Sequence, residues 1–326
     1  MDLIQRMGRM AAVAALGFMG VLGTAPLQAA APMVRTQAPG YYRMMLGDFE
    51  VTALLDGEFA IPAKELLGIL DDVSESQLEH ALKRSFAREP FVLSINVFLI
   101  NTGSKLVLVD TGEGAHMTPD SGRLIANLKA AGYEPAQVDE IYITHMHGDH
   151  IGGLSHNGER VFTNAVVRAS REEADYWLKP ENLASATAER RHDFQQAIDW
   201  LEPYVKAGRF RPFDGDITLV PGVKAVGTPG HTPGHTCYLV ESHGSRLLLI
   251  GDLVHIEPVQ FAIPEVTLKF DVDSNSARSE RLRMFHEAAE SREWVGAAHM
   301  PFPGLGHIRA DGAGYDWVPA SYSATH

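Results

Sequence analysis

Cys237 is the only cysteine in 326 residues, so no intramolecular disulfide can staple the chain. Its stability has to come from a packed core or a bound metal. The neighbours Thr236, Tyr238, Leu239 and Val240 read as a strand, which makes Cys237 a small buried thiol rather than a nucleophile. Long apolar runs are also missing. The stretch Ala11–Leu22 is 12 residues long, against about 20 needed to cross a bilayer. Preceded by Arg6 and Arg9 and followed by Ala29-Ala30-Ala31, it reads as an export signal over 1–31. The remainder, 32–326, is expected to be a single domain, periplasmic or secreted, with no membrane anchor after processing. Positive charge is scarce: 28 Lys and Arg stand against 41 Asp and Glu, a net −13. Such a surface repels phosphate backbones and anionic lipids, so nucleic acid is excluded as a partner. Low-complexity tracts and short repeats are absent.

What is present is ordinary globular composition, 45% hydrophobic and 21% charged. Phe49–Leu55 reads as a strand closed by the turn pair Asp56-Gly57, and a helix is expected over Ser74–Arg84. Phe91–Ile100 and Leu106–Val109 form a hairpin across Asn101-Thr102-Gly103. Arg123–Ala131 is helical, Ile141–Ile143 and Val166–Ala169 are short buried strands, and Glu172–Leu178 starts a helix. The polar stretch Pro180–Arg191 reads as a mobile excursion before a helix over Phe194–Tyr204, placed to roof a pocket. The second half follows suit, with strands at Val223–Val226, Cys237–Glu241, Leu247–Ile250 and Val295–Ala298 and a helix at Ala277–Ala289. Two strand-rich halves packed face to face with helices outside make an α/β fold, an αββα sandwich.

The chemistry is concentrated in His145-Met146-His147-Gly148-Asp149-His150, four metal-ligand candidates in six residues where a strand ends. Three histidines and an acid in one turn repel one another when the histidines are protonated, and they are costly to desolvate without a cation. Residues two apart on extended chain point the same way. His145 and His147 can therefore grip one ion while Asp149 and His150, on the following turn, reach a second. Further ligand candidates stand at three strand ends: His231 or His235 in Thr228–His235, Asp252 after Leu247–Gly251, and His299 after Val295–Ala298.

In order, H-x-H-x-D-H, a later His, a later Asp and a final His resemble the metallo-β-lactamase superfamily of binuclear hydrolases. The resemblance spans nearly the whole chain after residue 31. It implies one ion held by His145, His147 and His231, another by Asp149, His150 and His299, and Asp252 bridging them, with His235 left as a supporting residue. Ala38–Arg43, Leu46–Phe49, Asp139–Asp149 and His299–Gly304 resemble the exported methyl parathion hydrolases, whose relatives include lactonases and arylesterases. In the related acyl-homoserine lactone lactonases a tyrosine three residues past the bridging acid can hydrogen-bond substrate, and His255 stands at that position as a catalytic candidate. Asp110 matches a family position that orients a metal-bound histidine. Met117, Trp177, Phe194 and Phe270 are candidate apolar pocket walls.

The implied activity is that of a binuclear hydrolase in which a metal-bridging hydroxide attacks a lactone or aryl ester, with organophosphate triesters as the alternative. Two divalent ions are expected, Zn first, with Mn, Co or Fe also suited to imidazole and carboxylate ligands. The family's β-lactamases generally lack the acid at the Asp252 position, and the thioester of glyoxalase II belongs to reducing compartments. A non-catalytic periplasmic metal binder is the reading from another class. The partner expected is a small ester, lactone or phosphotriester, and a homodimer is suggested by the relatives alone.

Overall fold

A computed structural model describes residues 31–114 and 121–323. The signal expected over 1–31 lies outside the described residues apart from Ala31, as does Met117. Ala38–His326 form one compact unit. Among the described residues, six strands make the first sheet in sequential order: β1 (Tyr41–Leu46), β2 (Phe49–Ile61), β3 (Phe91–Asn101), β4 (Leu106–Val109), β5 (Glu140–Tyr142) and β6 (Val166–Arg168). Seven make the second, also in order: β7 (Ile217–Val220), β8 (Val223–Gly227), β9 (Thr236–Ser242), β10 (Ser245–Leu249), β11 (Trp294–Gly296), β12 (Leu305–Asp311) and β13 (Gly314–Pro319). The β12–β13 hairpin extends the second sheet beyond the last strand read from sequence.

Alternation along the strands assigns each side chain to a layer. On β3, Val97 and Leu99 join the core under the outer helices, while Phe98 and Ile100 face the other sheet. On β4, Leu106 and Leu108 go outward and Val107 and Val109 inward. Both faces are buried, so these strands read as continuous apolar runs. The outer core of the first sheet is closed by helices α2 (Leu124–Ala130), α3 (Arg171–Trp177) and α5 (Ala188–Lys206). The second sheet packs on α6 (Ser274–Ser291) through Met284, Phe285 and Ala288. Cys237, fully buried, belongs to that layer, and burial pushes its thiol up to about 12. Helix α1 (Glu75–Arg84) opens on a full capping box between Ser74 and Gln77.

Two local expectations are overturned. Asp56-Gly57 is no turn: β2 runs on to Ile61, and the pairing with β3 slips between Leu55 and Gly57. This bulge buries Asp56, whose carboxylate accepts backbone N–H bonds from Glu113, Gly114, Gly122 and Leu124. The excursion expected over Pro180–Arg191 is helical, as α4 (Pro180–Ser185) followed by the first turn of α5. Pro180 starts α4, where a missing N–H costs nothing. Asn182 Nδ2 donates to the Asp175 and Tyr176 carbonyls at the end of α3, so the join between the helices is polar yet ordered.

Strand direction fixes where the site forms. β4 and β5 are parallel, as are β10 and β11. Because β8 and β10 both run antiparallel to β9, they run the same way. The carboxyl ends of β8, β10 and β11 therefore emerge at one edge of the second sheet, and those of β4 and β5 at one edge of the first.

Candidate metal centre

Four of these five strand ends deliver ligand candidates, and the fifth, that of β4, delivers Asp110. His145, His147, Asp149 and His150 follow β5, the last two on the one-turn helix Gly148–Ile151. His231 lies between β8 and β9, Asp252 in the turn Gly251–Leu253 after β10, and His299 after β11. Gly251 holds φ +50°, and a Cβ there would stand 2.7 Å from His235 Nε2, so the turn admits only glycine.

The ligand atoms converge in two main groups, and Asp252, His255 and His299 make a third that overlaps them. His145 Nε2 lies 2.9 Å and His231 Nε2 3.0 Å from His147 Nδ1, and Asp252 Oδ2 is 3.4 Å from both Nε2 atoms. In the second group, Asp252 Oδ1 is 3.1 Å from His150 Nε2 and 3.2 Å from His299 Nε2. Asp149 Oδ2 stands 3.6 Å from the former and 3.4 Å from the latter. The two oxygens of Asp252 thus face different sets of histidines.

These residues fit divalent cations on their own geometry. His150 Nε2 and Asp252 Oδ1 are buried and face each other at 3.1 Å without hydrogen-bond geometry, an expensive state unless something else binds them. Three imidazole nitrogens meeting at about 3 Å cannot all be satisfied by one another's protons. Nitrogen and oxygen donors without thiolate suit Zn, Mn, Co or Fe.

A second layer holds the rings. His150 Nδ1 donates to Asp110 Oδ2 at 2.9 Å, and Asp110 also accepts from the Thr144 backbone and hydroxyl at 2.8 Å. Asp110 itself sits at φ +62°, a backbone state held by those bonds. His231 Nδ1 donates to Asp271 Oδ1 at 2.8 Å, and His299 Nδ1 to the Ser94 carbonyl at 3.0 Å. The choice between His231 and His235 is decided here. His235 Nδ1 donates to Thr228 Oγ1 at 2.8 Å and its Nε2 accepts the Asp252 N–H at 3.1 Å, so both ring nitrogens are engaged and the ring supports the backbone of Asp252. Asp271 and Glu173, whose carboxylate binds Met146, Trp177, Thr232 and Gly234, were not read from sequence. Only the fold brings them to the histidines.

Burial dominates the protonation of the cluster and is then overruled at some rings. Desolvation holds His145 and His147 well below the ordinary imidazole range, and His235 down to about 3. It opposes charge on His150, His231 and His299 as well, but Asp252 with Asp149 and Asp110 lifts His150 well above that range. Asp252 and Asp271 lift His231 to about 9, and Asp252 and Asp149 raise His299. Burial would raise Asp252, yet His150, His299 and His255 hold it well below the usual carboxylate range.

His255 stands against Asp252 and also lines the cavity above the cluster. Its Nε2 lies 2.9 Å from Asp252 Oδ2, and burial lowers the ring to about 4. A neutral ring has one N–H, which at this distance is given to Asp252, while Nδ1 is buried without a partner among the described residues; with Asp252 and His299 the ring also makes a third group of possible ligand atoms. Trp177 and Phe194 are core residues, not pocket walls. Both are buried, packed on each other at 4.7 Å between ring centroids, with Trp177 edge-on to His147 at 5.4 Å. Phe270 does face open space. It lines a cavity of about 200 Å³ with Phe59, Ile61, Ile69 and Leu93, whose floor is His147, Asp149, Asp252, His255 and His299. An adjoining cavity of about 420 Å³ is lined by Arg190, Asp193, Gln196 and Lys269. A larger groove of about 870 Å³ lies between α1 and β12–β13, but it contains none of the cluster.

The sequence model of the metallo-β-lactamase superfamily matches residues 90–299. An N-acyl homoserine lactonase of a Bacillus species is 27% identical over 194 residues, which is 53% of this chain and 69% of that enzyme. The hydrolase AbOPH of the β-lactamase superfamily superposes with a TM-score of 0.83 at 35% identity, covering 88% of this chain and all of that one. AidC, a dizinc quorum-quenching lactonase crystallised with the product N-hexanoyl-L-homoserine, gives 0.80 at 27% identity over 87% of this chain and 98% of its own. With its αββα sandwich and its paired histidine and aspartate sets, the chain belongs to the metallo-β-lactamase superfamily as a metal-dependent hydrolase.

Proposed function

We propose that the protein is a binuclear lactonase that also accepts aryl esters. The observation that carries this reading is the apolar cavity of about 200 Å³ opening directly onto Asp149, Asp252 and His299. His145, His147 and His231 would hold one cation, Asp149, His150 and His299 the other, and Asp252 both. Bound divalent cations supply a water nucleophile at neutral pH and polarise the substrate oxygen. Phe59, Ile61, Ile69, Leu93 and Phe270 take the acyl or aryl part of the substrate and exclude water from it. Asp252 is kept ionised by the surrounding imidazoles and kept oriented by His255 and by the His235 acceptor for its N–H. The lactonase relatives point to the same substrate class. Arg6, Arg9 and the following apolar run support export of the chain, and N-terminal sequencing of the secreted protein reads the cleavage point.

The test is kcat/KM for dihydrocoumarin, N-hexanoyl-homoserine lactone and methyl parathion, measured with elemental analysis before and after chelation. The lactones should lead and activity should follow metal content. A large preference for the phosphotriester would overturn the substrate assignment, and full metal occupancy without turnover on any of the three would make the protein a binder.

A further inference from the structure

Glu173 is fully buried and lies outside every group of ligand atoms, yet it joins the two loops that supply one of them. Its Oε1 accepts from the Met146 N–H at 2.8 Å and from Trp177 Nε1 at 2.6 Å. Its Oε2 accepts from Thr232 Oγ1 at 2.8 Å and from the Gly234 N–H at 2.9 Å. Met146 sits between His145 and His147, and Thr232 directly follows His231. One carboxylate therefore spans the loop after β5 and the loop between β8 and β9.

The local sequence makes this connection unexpected. Ser170-Arg171-Glu172-Glu173 is a capping-box pattern in which the glutamate would ordinarily return to the N–H of residue 170. Ser170 Oγ does accept the Glu173 N–H at 3.1 Å, but the carboxylate turns into the loops. Ser170 Oγ also donates to the Gly234 carbonyl at 2.9 Å. A Cβ on Gly234 would stand 2.2 Å from both Glu173 N and Ser170 Oγ, so the loop is seated on the start of α3 with no room to slip. All four partners of the carboxylate are donors, which suits an ionised group whose oxygens only accept. No cationic side chain is among them.

We propose that Glu173 is a positioning residue that sets the spacing between the His145–His147 loop and His231, and so tunes the affinity of one cation of the pair selectively. The other ligands do not depend on it. His150 and His299 take their orientation from Asp110 and Ser94, and Asp252 from His235 and His255. The proposal rests on the cluster being a metal centre. In Glu173→Gln an amide NH₂ replaces one oxygen and opposes a backbone N–H, a donor facing a donor, at Met146 or at Gly234.

The experiment compares wild type, Glu173→Gln and Thr232→Val as full chains, stripped of metal and titrated with Zn²⁺ against a chromophoric chelator, with apo-protein melting in parallel. Wild type should bind two ions. Glu173→Gln should weaken one of them by about 10–100-fold, the usual effect of losing an outer partner of a ligand, and leave the other within about threefold. Excess Zn²⁺ should restore kcat. Thr232→Val, which removes one donor and keeps the shape, should weaken the same ion by a smaller factor. Equal weakening of both ions, or lower apo melting with both affinities intact, would make Glu173 a fold element and overturn the proposal. If Glu173→Gln does not fold, unchanged affinities in Thr232→Val overturn it. Wild type that takes up no Zn²⁺ would bring down the metal reading itself, a result distinct from two ions bound equally well by every variant.

Discussion

Metal uptake by this site should depend steeply on pH, and the structure sets the sign. His150 is raised well above the ordinary imidazole value and His231 lies at about 9, so these two rings hold protons at pH 7 in the metal-free protein, and His299 is shifted in the same direction. Their protons are the counter-charges for the buried carboxylates of Asp252 and Asp271 that face them. His145 and His147 are already neutral because burial lowers them. A cation needs the lone pair of each ligand ring, so filling both groups displaces at least the two protons of His150 and His231 at pH 7. Each displaced proton makes affinity change about tenfold per pH unit, or about 1.4 kcal/mol. Between pH 7 and pH 6 the overall affinity for the pair should fall by roughly two powers of ten or more. Calorimetric titration with Zn²⁺ in buffers of different ionisation enthalpy counts the released protons directly. Affinity that is flat from pH 6 to pH 8, with no buffer-dependent heat, would refute the reasoning. The apo-protein follows the same linkage. The raised histidines add stability that is complete below their unfolded values and lost as pH rises through about 9 for His231. Asp252, held low, adds stability present above its unfolded value and lost as pH falls through its folded one.

Asp271→Asn keeps the size of the side chain but turns an amide toward either His231 Nδ1 or the Leu268 N–H. Chelator competition should show about 10–100-fold weaker binding of one cation, and an unchanged constant would remove Asp271 from the site. His255→Leu should lower kcat/KM for dihydrocoumarin about tenfold or more, through a misaligned Asp252, with loss in kcat exceeding change in KM. A pure KM effect would mean that the ring serves substrate binding instead. Asp56→Ala strips four backbone N–H groups of their buried acceptor, and thermal melting should report a loss of about 3 kcal/mol or more. A melting temperature within a degree of wild type would show that the segment after Glu113 does not rely on it.

The fold was legible where burial pattern alone decides. The strands around Phe91–Val109, Ile141 and Leu247–Ile250 are two-faced apolar runs, and the helix opened by Ser74 has its cap written in the sequence. It was illegible where a tertiary partner overrides local propensity. Asp56-Gly57 has turn chemistry, but a bulge recruits Asp56 as an acceptor for a distant loop. Pro180–Arg191 is too polar to show a helical stripe, and Asn182 ties it to the preceding helix. Trp177 and Phe194 have pocket-wall chemistry, and nothing local tells a wall from a core residue behind a ligand.

The sequence by itself determined the donor types, their order, and their placement at strand ends, because ligand chemistry is a property of side chains and of what precedes them. Only the tertiary structure decided which atoms share an ion. Asp252 divides its oxygens between two histidine groups, His235 is occupied at both nitrogens, His255 gives its proton to Asp252, and Asp271 and Glu173 support residues 40 or more positions away or on another loop. The reason is geometric. Contacts between loops depend on how two sheets stack and which way their strands run, and no stretch of chain carries that information alone.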